Sequence, residues 1–109
     1  MSFDNNGIDI AKNIKIIEWL KSELLSSLAS LFELLVKGIK GRQEAIGDIL
    51  ANIILVTYVL ARRLGMSYSN LDMRVNDKIK LGVLEDHKIE SWFGDLSELK
   101  KHMDRSSKK

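Results

Sequence analysis

The sequence predicts an all-α protein, an antiparallel bundle of four to five helices completed by oligomerisation. Three observations carry that expectation. The 109 residues contain no proline, the residue that most effectively interrupts a helix. β-Branched residues rarely alternate with polar ones, as they would in strands. Apolar side chains instead recur at steps of three and four, the helical period.

The first helix follows from Ile10, Ile14, Ile17, Leu20, Leu24, Leu28, Leu31, Leu35 and Ile39. A straight helix over that stripe would be about 45 Å long, whereas a compact globule of this chain length is roughly 34 Å across. Either the chain bends around Ser22 to Ser27, where serine weakens helix propensity, or the overhang packs against another subunit; a bend between Leu20 and Leu25 is expected. Gly38 and Gly41 bracket a short linker, because glycine accepts the left-handed conformation that ends helices. The second helix runs from about Arg42 to Leu64 and closes at Gly65, with Arg62 and Arg63 suited to its negative end. Its middle, 49–61, is apolar on almost every side, so the helix needs cover on two faces. One chain this small covers only one of them, and a homodimer or higher homo-oligomer supplies the other. A third helix is expected from Asn70 to Leu81 on the spacing of Leu71, Val75 and Ile79, with Ser69 as N-cap. Residues 82–94 are less regular, and Trp92 and Phe93 there are expected to dock onto the bundle. A last helix opens at Asp95, whose spacing to Glu98 suits a capping box, and ends near Met103. Residues 1–7 and 106–109 are expected to be tails.

Length and charge narrow the function classes. A chain of 109 residues supports a single domain that buries roughly two thirds of its unfolded surface. Seventeen basic against fifteen acidic residues leave a net charge of +2, without the basic, aromatic-studded face of a nucleic-acid binder. No cysteine is present, which excludes disulfides, thiolate zinc sites and cysteine nucleophiles. The polar start of the chain lacks a secretory pattern, and the apolar run 49–61 is shorter than the roughly 20 residues of a membrane span. A cytoplasmic protein with no membrane partner is expected.

Carboxylates are the credible carriers of chemistry. Glu44 and Asp48 stand four residues apart on one helix face, with Asn52 a turn further on. Glu33, near the end of the preceding helix, could face them across the groove once the short linker folds the chain back. Converging carboxylates can anchor Mg²⁺ while a phosphate completes the shell; alternatively, these are ordinary charges on a solvated helix pair. Ser22, Ser26 and Ser30 share a face that suits a close helix contact or a polar strip. His87 reads as a surface histidine.

The blocks Asn13-Ile-Lys-Ile-Ile-Glu-Trp-Leu-Lys-Ser-Glu-Leu-Leu25, Leu28-Ala-Ser-Leu-Phe-Glu-Leu-Leu-Val-Lys-Gly38, Glu44-Ala-Ile-Gly-Asp-Ile-Leu50 and Leu60-Ala-Arg-Arg-Leu-Gly-Met66 resemble the MazG family of all-α nucleoside triphosphate pyrophosphohydrolases. The closer resemblance is to the short MazG-like proteins of Gram-positive bacteria, over about residues 10–105. It implies ExxE and ExxD motifs on successive helices that hold Mg²⁺ and cleave a nucleoside triphosphate to monophosphate and pyrophosphate. Carried over residue by residue, Glu33 and Asp48 match, but Ser30 and Ala45 stand where two carboxylates belong. Glu44 lies one position early, about 100° around the helix. Lys78 falls where a phosphate-binding lysine of the family stands, with Arg74 one turn before it. Three functions are thus weighed, the first two close: a Mg²⁺-dependent nucleotide pyrophosphohydrolase with an incomplete metal site at Glu33, Glu44 and Asp48, or a non-catalytic oligomer that binds nucleotides or regulates. A helical assembly protein without nucleotide contact is the third.

Overall fold

A computed structural model describes residues 2–85 and 88–107, with side chains over 9–85 and 88–106; His87 lies outside them. Five helices follow in order: α1 Ser2–Val36, α2 Gln43–Arg63, α3 Tyr68–Leu84, α4 Lys88–Phe93 and α5 Asp95–Ser107. No strand occurs among the described residues. The chain divides into two compact units, Met1–Tyr68 and Ser69–Lys109.

The first unit is an antiparallel α1–α2 hairpin. On α1 the covered positions include Asn13, Ile17, Leu20, Leu24, Ser27, Leu31 and Leu34, alternating steps of four and three. On α2 they include Ile46, Ile49, Ile53, Val56 and Leu60, again in threes and fours. This is the seam spacing of paired helices whose side chains interlock. Leu20 and Val56, each only 2% exposed, are its most buried members.

The helix is not interrupted where a bend was expected near Leu20–Leu25: α1 is continuous from Ser2 to Val36. The seam explains this: it runs unbroken from Asn13 to Leu34, so a bend would unzip the pair at its middle. Serine costs only about half a kcal/mol against alanine in a helix, less than the burial of Leu20, Leu24 and Leu31 contributes. Polar bonds fasten the hairpin at the end away from the linker and at its centre. The Asn13 amide donates to the Arg63 carbonyl at 3.1 Å, and Arg63 Nη1 donates to Asn13 Oδ1 at 3.3 Å. The Asn52 amide donates to Ser27 Oγ at 2.9 Å.

The linker follows the glycines. Gly38 and Gly41 hold φ of 97° and 80°, which side-chain-bearing residues adopt only with strain. Arg42 then reaches back, Nη1 donating to the carbonyls of Lys37 at 2.9 Å and Gly38 at 3.3 Å. It thereby satisfies carbonyls that the end of α1 leaves without helical partners. At the far end of α2, Gly65 at φ 98° closes a Schellman turn: Gly65 N–H donates to the Arg62 carbonyl and Met66 N–H to that of Ala61. Tyr58 and Tyr68 meet edge to face at 6.1 Å, with the Arg62 guanidinium 5.8 Å from the Tyr68 ring centre.

The second unit departs further from expectation. α3 begins at Tyr68, just ahead of the expected Ser69 cap, and runs on to Leu84; Ile79 is its buried residue. The stretch read as irregular contains α4. Trp92 and Phe93 do not dock: they are 70% and 67% exposed and stand edge to face with each other at 6.3 Å. Nor does Asp95 open a capping box, because it is already the first helical residue of α5. The donor three residues past Gly94 is satisfied from α4 instead. Glu90 accepts the Ser97 backbone N–H at 2.9 Å and the Ser97 hydroxyl through its other oxygen.

Those two bonds from Ser97, the hydroxyl first, hold the Glu90 carboxyl below its ordinary value of 4.5. A carboxyl lowered by folding contributes stability that is present above pH 4.5 and is lost as pH falls through the lowered value. Glu90→Gln is therefore expected to lower the melting temperature at pH 6 and to flatten its decline between pH 5 and 3, read by circular dichroism. An unchanged pH profile would show that Glu90 does not hold α5.

Candidate polar groove on the first helix pair

Helical geometry sorts the two flanks of the α1–α2 seam. At 100° per residue, Glu23, Ser26 and Ser30 fall on one side of the α1 seam, and Leu25, Leu28 and Phe32 on the other. On α2, Asp48 and Asn52 flank one side of the seam, Leu50 and Ile54 the other. In an antiparallel pair like flanks meet, so over these residues the hairpin has one polar edge and one apolar edge.

The polar edge is a groove of about 270 Å³ lined by Glu23, Ser26, Ser27, Ser30, Asp48, Ile49 and Asn52. Small serines on α1 leave room beside α2, and the Asn52–Ser27 bond at 2.9 Å crosses its floor. The lining presents hydroxyls, an amide and the two carboxylates of Glu23 and Asp48, with no cationic side chain among them. Such a set can donate and accept hydrogen bonds to a polar ligand.

The expected metal cluster is not assembled here. Asp48 lines the groove, but Glu33 and Glu44 do not; both are exposed. The reason is angular: Glu33 is turned about 60° further from the seam than Ser30, and Glu44 about 40° further than Asp48. Among the described residues no group of three or more histidines, aspartates or glutamates is placed to hold a metal ion. The residues present thus do not fit the multi-carboxylate Mg²⁺ site that the ExxE and ExxD pattern implies. Glu23, which sequence reasoning passed over, joins the groove instead. Its signal was its spacing of seven from Ser30, which returns to the same helix face.

Compared with known families, the chain matches the family model described as the MazG-like family over residues 10–96. The chain belongs to the MazG-like family. Comparison with curated proteins and with solved structures found no match. The MazG-like region covers most of the chain, from Ile10 in α1 to Leu96 at the start of α5.

The basic residues singled out in this MazG-like chain lie on α3, in the second unit. Lys78 is exposed. Arg74 is exposed and donates from Nε to Asn70 Oδ1 at 3.0 Å. Between them stands Asn76, which sequence reasoning did not single out. Its amide donates to the Asp72 carbonyl at 3.2 Å, while its Oδ1 is buried without a hydrogen-bond partner. An amide in the half-buried stripe of Val75 and Ile79 was the available sign.

Proposed function

We propose that this chain is a cytoplasmic, homo-oligomeric MazG-like protein that binds nucleotides and in which Mg²⁺-dependent cleavage to monophosphate and pyrophosphate is weak or lost. One observation carries the reading: the groove keeps Asp48 but offers Ser30 where the family pattern places a carboxylate, and neither Glu33 nor Glu44 lines it. Within the second unit, Lys78 and Arg74 on α3 are the proposed phosphate contacts. Membership of the MazG-like family supports the nucleotide.

The apolar edge of the hairpin supports the oligomer. Leu25, Phe32, Leu50 and Ile54 are all exposed large hydrophobics, and contiguous apolar patches of this kind mark association surfaces. By length and composition α2 could also cross a membrane, with a mean hydropathy of 1.7 and 17% of that window buried. A second copy suits it better than lipid, because Asp48 and Asn52 stand within the helix and its seam face is already taken by α1.

A second reading, a pyrophosphohydrolase with one metal at Asp48, is favoured by the Glu23 carboxylate in the same groove. Incubating the purified chain with a panel of nucleoside triphosphates and Mg²⁺ or Mn²⁺ separates the two. Little or no pyrophosphate release is expected. Robust release abolished by Asp48→Ala would put the hydrolase in first place. Calorimetric titration of the same panel is expected to show binding, and its complete absence would leave a purely structural helical assembly.

A further inference from the structure

Within the second unit, the end of α3 and the first half of α5 enclose a cleft of about 430 Å³ lined by Lys80, Val83, Leu84, Ser97, Lys100 and Lys101. That volume falls within the roughly 300–1,000 Å³ of small-molecule pockets. We infer that this cleft binds an amphipathic anion, a hydrocarbon chain ending in a carboxylate, with the chain along Val83 and Leu84 and the carboxylate among the three lysines. The cleft shares no residue with the hairpin groove, and the inference does not rest on the nucleotide reading. Half of the lining residues are lysines, yet the wall is almost wholly apolar, as follows when lysine stems lie along a cleft and their ammonium groups stand at its rim. Such a wall offers few hydrogen bonds, so a base or sugar would lose more to desolvation there than it gains, whereas a hydrocarbon chain leaves water favourably. Leu84, 82% exposed, supplies apolar surface for it to cover. The charge of the lining has one sign, since no acidic side chain belongs to it. Lys100 is paired with Asp104 at 3.2 Å, and Glu90 accepts the Ser97 hydroxyl. Lys80 and Lys101 form no ion pair among the described residues. Two uncompensated ammonium groups beside an apolar wall attract an anion and repel a cation of the same shape.

The test follows the Val83 and Leu84 methyl resonances of the full chain in two titrations below the micelle concentration, one with decanoate and one with decyltrimethylammonium. Decanoate is expected to shift both residues saturably and to bind at least about tenfold more tightly than the cation, with the helical circular dichroism unchanged. Salt at about 1 M, where the screening length is about 3 Å, is expected to narrow that difference. Acetate, the head group without the chain, is expected to leave both residues unmoved. Lys80→Gln combined with Lys101→Gln, both at exposed positions, is expected to bring the two ligands to similar affinity, and Leu84→Asn to weaken both. Equal affinity for anion and cation in the wild type overturns the inference, as do shifts that spare Val83 and Leu84. Shifts of those methyls on raising the protein concentration alone, with none on adding decanoate, also overturn it and give the cleft to a second copy.

Discussion

Leu20→Ala is expected to destabilise the chain by about 2–5 kcal/mol, the range for emptying a buried leucine site. The described core is small: Leu20, Leu31, Val56, Ala61 and Ile79 are its buried hydrophobics. Four of these belong to the α1–α2 hairpin, and Leu20 is 2% exposed at the middle of its seam. Domains of this size hold only about 5–15 kcal/mol in total, so one alanine removes a large share. The measurement is urea unfolding at fixed protein concentration, because the proposed association would make the midpoint concentration-dependent. A loss under about 1 kcal/mol would show that the hairpin seam does not carry the stability, contrary to the burial pattern.

Phe32→Glu combined with Ile54→Glu is expected to dissociate the oligomer while leaving the helices formed. Both side chains are well exposed, at 64% and 59%, on the apolar edge of the hairpin. Within one chain the change places two charges in water and costs little. If a second copy covers that edge, each glutamate is buried without a partner, at about 3 kcal/mol or more. Together these weaken association by a factor of at least about 10⁴. Light scattering at micromolar concentration is expected to show an oligomer for the wild type and a monomer for the double variant, with equal helical circular dichroism. Equal masses for the two proteins would place the interface elsewhere or remove it.

Much of the local structure was legible because its causes are local. Gly38, Gly41 and Gly65 take positive φ and stand where α1 ends and α2 begins and closes, since only the absence of a Cβ makes those turns inexpensive. The α2 limits follow from the same punctuation. Where a non-local contact intervened, local reading failed. The serines of α1 weaken a helix in isolation, yet α1 runs through them because the seam with α2 crosses that segment. Glu90 caps α5 from α4, a partner seven residues upstream of Ser97, so the nearer Asp95–Glu98 spacing misled. Trp92 and Phe93 are hydrophobic enough to suggest docking, but Trp92 meets Phe93 and the Lys88 ammonium instead, and both rings stay exposed.

The candidate site divides in the same way. Ser30 and Ala45 could be read as gaps from the chain itself, and Asp48 as the carboxylate that remained. Which acidic residues share a groove is a matter of azimuth about two helices held in one register. That register turns Glu33 and Glu44 away and brings Glu23 in beside Asp48.

The sequence by itself determined that the chain is helical, where its first two helices are joined, and that its middle helix has more apolar surface than one neighbour can cover. Those properties depend on spacing and on backbone freedom, which each short segment carries with it. Only the tertiary structure decided that α1 runs on without interruption and that the serine flank of α1 meets the Asp48–Asn52 flank of α2. It also decided that two carboxylates, rather than three or more, stand in the groove. Each of these depends on which faces of distant residues meet, and a pairing between residues 25 or 50 positions apart is set by the packed seam rather than by any stretch of chain alone.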